Sequence, residues 1–210
     1  MKTLKVLSVA AGVLILNGCA STLDNSGGRA TVYEDVNSSS SQVQGVGIES
    51  QDIAGVADKM VRSMLQNPDL AGRSKSPRVV IDEEYLTNES TSRINKKIIT
   101  DRLRVHLNRA ARGKMTFVGR HFSKMVDKER ELKRSGLADK GTIRTTKAVA
   151  GADFRLGGNI TSLDAVNKHS GTTSRTTQII FEMVDLEYGT IVWSDIFDFK
   201  KTAQDDVLYR

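Results

Sequence analysis

"SRTTQIIFEMVDLEYGTIVWSDIFDF", residues 174–199, alternates apolar and polar side chains on both sides of a short break. Ile179, Phe181 and Met183 fall on one face of the first half; Ile191, Trp193, Phe197 and Phe199 fall on one face of the second. A period of two marks a strand with one buried face. The break "EYGT", residues 187–190, is tight, and Gly189 can take the positive φ that such a turn needs. Strands joined so closely run antiparallel.

Upstream, "GADFRLGGNITSLDAV" predicts a long strand over Asp153–Val166, and "NKHSGTT" turns it into the hairpin. The C-terminal half is therefore a three-stranded antiparallel meander. The pattern changes before it. Val79, Val80 and Ile81 form a continuous apolar run, the signature of a strand covered on both faces. Residues 93–112 then read as a helix with Ile94, Ile98, Ile99, Leu103, Leu107 and Ala110 as its stripe, capped by Thr91 or Ser92 and stopped by Gly113. "KMTFVGR" is the next strand. Strand, helix and strand in this order predict a parallel pair joined by a right-handed crossover. A helix over residues 51–66, capped by Asp52 and ended by Asn67-Pro68, precedes this unit; helices at 121–134 and 142–150 follow it. The "EEYLTNESTS" segment reads as a polar loop. The predicted fold is α/β (α+β): a mixed sheet of four to five strands with helices on both faces.

The start of the chain has a different character. Lys2 and Lys5 precede an uncharged apolar run, Val6–Leu16, too short to span a bilayer, which takes about 20 residues. The run ends on Leu16-Asn17-Gly18-Cys19, which resembles a bacterial lipobox, and Cys19 is the only cysteine. That resemblance implies cleavage before Cys19 and lipidation of its thiol; Ala20, where inner-membrane lipoproteins carry Asp, implies sorting to the outer membrane. Residues 19–50 are rich in Ser, Gly, Asn and Gln and read as a flexible linker. Some 30 such residues span about 30 Å r.m.s.. The expected organisation is a signal peptide over 1–18, this linker, a globular domain over 51–200 and a tail over 201–210.

No catalytic or metal-binding pattern emerges. His106, His121 and His169 share no ligand spacing, and the chain lacks G-x-S-x-G, H-E-x-x-H and S-x-x-K. The Asp82-Glu83-Glu84 run reads as a solvated loop. The expectation is a protein that is not an enzyme and takes no metal or cofactor. Charge says more. Residues 93–134 hold 14 Lys and Arg against four acids, a local net of +10, whereas residues 182–210 carry a net of −4. A basic stretch of this kind steers a protein toward acidic protein surfaces or anionic lipid headgroups. The periplasmic setting that the lipobox implies argues against nucleic acid.

"RINKKIITDRLRVHLNRAARGKMTFVGR", "GTIRTTKAVAGADFRLGGNITS" and "YGTIVWSDIFDFKKT" together resemble the LpoB family of penicillin-binding-protein activators. The carrying features are the helix ending in Gly before Lys114–Val118, the Gly151–Phe154 entry to the long strand, and Gly189–Ser194. The resemblance covers residues 50–200 and implies a fold like the N-terminal domain of TolB. It also implies an outer-membrane lipoprotein that docks on the regulatory domain of a class A penicillin-binding protein and stimulates its glycan polymerisation and crosslinking. Related domains in flagellar and curli lipoproteins give the alternative, an assembly or structural lipoprotein of a surface organelle. The candidate docking residues are Arg102, Arg109, Arg120, His121, Phe122, Phe154 and Arg155.

Overall fold

The protein is described from a computed structural model, which covers residues 27, 30–41, 43–143 and 148–204. The chain forms two compact units, Met1–Tyr33 and Glu34–Arg210. In the first, the described residues, 27 and 30–33, are exposed and form neither helix nor strand. The second contains the fold.

Its elements are α1 (Ser50–Gln66), α2 (Pro68–Ala71), β1 (Arg78–Val80), β2 (Leu86–Asn88), α3 (Lys96–Ala110), β3 (Thr116–Phe117), α4 (Ser123–Arg134), β4 (Phe154–Asn167), β5 (Thr172–Asp185) and β6 (Ile191–Ala203). The strands form one six-stranded mixed sheet in the order β3-β1-β4-β5-β6, with β2 also on β4. β1 pairs in parallel with both β3 and β4, as the strand–helix–strand pattern predicts. β4, β5 and β6 form the antiparallel meander. The α+β class and the mixed sheet agree with the expectation; the strand count is six rather than four to five because "LTN" in the supposed polar loop is β2. It runs along β4 after β1, from the Leu86–Gly158 pair onward.

The core lies on one face of this sheet. Val56, Met60 and Met64 of α1 and Ile99, Leu103 and Leu107 of α3 pack with Phe154, Leu156, Ile160, Ile179, Phe181, Met183 and Trp193. Both long core helices therefore share a face, rather than one lying on each. The other face of the meander alternates polar rows, Thr161–Gln178–Asp198 and Glu182–Ser194, with the apolar pairs Ile180–Ile196 and Val184–Ile191, and Ile191 and Ile196 stay exposed there. The indole of Trp193 donates to Ser63 Oγ at 3.0 Å and pins α1 to β6. Burial of a large aromatic with its polar atom satisfied is the stable arrangement for Trp.

Several boundaries differ from the sequence reading. The cap of α1 is Glu49, with Asp52 returning a bond to its backbone N–H at 2.8 Å, a capping box. The folded unit begins ahead of residue 51: Gly45, Val46 and Gly47 are buried, and Lys201 Nζ donates to the Gly47 carbonyl at 3.0 Å. That same Lys201 lies in β6, which runs three residues past the expected end of the domain. Asn95, not Ser92 or Thr91, caps α3 through Lys97 N–H at 3.1 Å. Residues 148–150 are not helical, and 144–147 lie outside the described residues, so the helix expected over 142–150 does not extend to its predicted end. Among the described residues no helix is long and apolar enough to cross a membrane.

Candidate docking surface

The basic stretch of the sequence folds into α3, a 3₁₀ turn at Arg120–Phe122, and α4. α3 is held by its apolar stripe, so its cations are displayed on the opposite side. Some are spent internally. Asp101 accepts from Lys97 Nζ and from Arg104 Nη2, both at 2.6 Å. Partial burial pushes its carboxyl up, and these two cations more than offset that and hold it below the usual carboxylate range. Arg102 Nη2 donates to Asn37 Oδ1 at 3.1 Å, so the segment before the domain lies against α3 here. Arg109 is exposed, in a shallow cleft between α1 and α3 shared with Arg62, Asp58 and His106. His106 Nδ1 and Asp58 Oδ1 stand 3.2 Å apart and join the two helices.

Beyond β3 the chain leaves the core. His121 and Phe122 are exposed, their rings 4.0 Å apart between centroids. α4 follows, and none of its residues is buried. It is nevertheless amphipathic. Met125 and Leu132 are separated by seven residues and so share a face, with Val126 beside them. Met125 is 63% exposed and Leu132 42%. Gly136, at φ 79°, reverses the chain and brings Leu137 alongside. Helix and returning chain enclose a groove of about 710 Å³ lined by Met125, Val126, Lys128, Glu129, Leu132 and Leu137 among others. Glu129 is paired with Lys133 at 3.4 Å.

The residues singled out from the sequence therefore separate. Arg120, His121 and Phe122 stand together at the entry to α4. Arg102 and Arg109 lie on α3. Phe154 is fully buried in the core and offers no docking surface. Arg155 is committed internally: its Nη2 bonds Asp82 Oδ2 at 2.9 Å and also Glu84, and its guanidinium stacks on Tyr85 at 4.4 Å. The carboxylates read as a solvated loop thus bind the loop between β1 and β2 back to β4. Cys19 lies outside the described residues. The α4 groove escaped the list of docking residues; its signal was Met125, Val126 and Leu132 on a helix whose other residues, Ser123 apart, are charged.

At the entry to β4, Asp153 Oδ2 accepts from Arg78 N–H and Oδ1 from Arg78 Nη2, each at 2.7 Å. The hydrogen bonds from the Arg78 side chain and backbone hold the Asp153 carboxyl at about 2. This pair clamps β1 to β4, and Asp153 also lines an open cleft with Arg73, Lys75 and Pro77.

The family model described as peptidoglycan-synthase activator LpoB matches residues 52–199. Among solved structures, the chain is similar to the LpoB C-terminal domain from Escherichia coli, at 22% identity and a TM-score of 0.40, and to that from Salmonella enterica, at 17% and 0.39. Each alignment covers 70% of this chain and 98% of the other. It is also similar to lipoprotein GNA1162 from Neisseria meningitidis, at 15% identity and a TM-score of 0.33, over 63% of this chain and 87% of that one. No curated protein sequence matches. The family match takes in the chain from the first turn of α1 through most of β6, and on it this protein belongs to the LpoB family of peptidoglycan-synthase activators.

Proposed function

We propose that the chain is a lipid-anchored outer-membrane protein that stimulates a class A penicillin-binding protein by docking on its regulatory domain. The family match over residues 52–199 carries this reading. The lipobox-like Leu16–Cys19 supports the anchor, with Cys19 as the lipidated residue. Docking falls to the basic surface of α3, Arg120–Phe122 and α4. No bond is made or broken in the activator. It raises synthase activity by binding the active conformation of the synthase better than the inactive one, which shifts the population toward the active form. The linker bears on geometry: the folded unit takes in Gly45–Gly47, and the roughly 25 residues between Cys19 and Gly45 would span about 25–30 Å r.m.s. as a flexible chain, so the synthase domain has to stand close to the outer membrane.

Binding of the full chain to immobilised class A synthases tests the proposal. Saturable binding to at least one of them is the expected result. Binding to none would refute it, and a motility or fibre-assembly defect on deletion, with normal wall synthesis, would favour an organelle role instead.

A further inference from the structure

We infer that the groove between α4 and Leu137 grips the partner, taking an apolar side chain from an acidic segment of a protein. The inference rests on the proposed activator role and names the part of the basic surface that does the work.

The first observation is that α4 does nothing for the core. All its side chains remain accessible, yet it keeps Met125, Val126 and Leu132 in a row beside Leu137. A helix of 12 residues is marginal on its own in water, and an apolar stripe that faces solvent costs free energy until something covers it. Methionine suits such a lining because its unbranched thioether adapts to the shape of an incoming group.

Charge selects the chemistry of the occupant. α4 carries Lys124, Lys128, Arg130, Lys133 and Arg134 against Asp127, Glu129 and Glu131, a net of +2, within a stretch from Arg93 to Arg134 whose net is +10. An acidic partner is drawn in; a basic one is repelled. The same charge argues against a second copy of this chain. A two-fold interface sets a patch against itself, which here would oppose two helices of the same net positive charge. Shape argues against a bilayer. Helices that lie in a membrane interface present a convex apolar face, whereas these apolar side chains line a concavity that Glu129 and Glu131 also enter. A concave apolar site with polar edges takes a side chain from a protein.

The test measures binding of the full chain, in detergent, to immobilised class A synthases, for the parent and for Met125→Asp, Leu132→Asp and Leu163→Asp. Leu163 is 74% exposed on β4, away from the groove, and serves as the control. Because α4 is not in the core, the unfolding midpoints of the two groove variants should match the parent. Kd should rise about 10- to 100-fold for each groove variant and stay unchanged for Leu163→Asp. If the parent binds and the groove variants bind equally tightly, the groove inference falls and the activator role stands. If the parent binds no synthase, both fall. Flotation with phosphatidylglycerol vesicles, and sedimentation of the chain alone, complete the test: membrane binding or dimerisation abolished by Met125→Asp would assign the groove to a bilayer or a second copy and overturn the inference.

Discussion

Gly158 lies where β4 passes close to β5, and a Cβ there would stand 2.1 Å from the Ile180 carbonyl oxygen. Backbone cannot yield as a flexible side chain can, so Gly158→Ala should destabilise the fold by about 1–3 kcal/mol or more, read by urea unfolding. The buried Trp193, the sole tryptophan, is the reporter. Asp153 makes a different residue-scale prediction. Its folded pKa of about 2 lies below the value near 3.9 of an unfolded Asp. Its contribution is therefore complete above pH about 4 and is lost as pH falls through 2. Both members of the pair are more than a third exposed, so solvent screens it and the effect is modest. The stability advantage of the parent over Asp153→Asn should shrink from pH 7 to pH 2.5; a constant difference would contradict the assignment. Alternation could not place Ile191. A bulge at Met183/Val184 adds Val192 to β6, so Ile191 pairs with Val184 on the open face while Trp193 turns into the core.

At the scale of elements, α3 and α4 present similar apolar stripes in sequence and opposite fates in the fold. Leu103 of α3 is fully buried, and Leu103→Ala should cost about 2–5 kcal/mol. Met125→Asp or Leu132→Asp in α4 should change stability by no more than about 0.5 kcal/mol, since neither side chain is in the core. Thermal unfolding of the three variants measures the contrast. Periodicity identified both helices because it reports that a helix has an apolar face. It is silent about what covers that face, and so the groove beside α4 was illegible. The meander was legible because its strands are 13–14 residues long and two of them carry a stretch of apolar alternation, Ile179–Met183 and Ile191–Phe199; β2 was not, since it is three residues long and holds its place by pairing with β4. The start of the folded unit was missed for a related reason. Val46 is one of only three apolar residues, with Val43 and Ile48, in a Ser-, Gln- and Gly-rich segment, and its burial depends on the folded chain around it.

The whole molecule is electrically lopsided, and that was plain from the sequence. Which cations are exposed was not. Arg155 is taken up by Asp82 and Glu84 across the fold, Lys97 and Arg104 by Asp101 on their own helix and Lys133 by Glu129, whereas Arg109, Lys124 and Lys128 are exposed. If the exposed cations steer docking, the association rate should fall as salt rises toward 0.15 M, where the screening length is about 8 Å. Arg109→Glu with Lys128→Glu should slow association at low salt and flatten that dependence. The direct test of the activator role is the rate at which a purified class A synthase polymerises lipid-linked disaccharide, measured with and without the full chain. A saturable rise in rate, reaching its plateau near one activator per synthase, is the predicted result; a rate unchanged at saturating activator would contradict it.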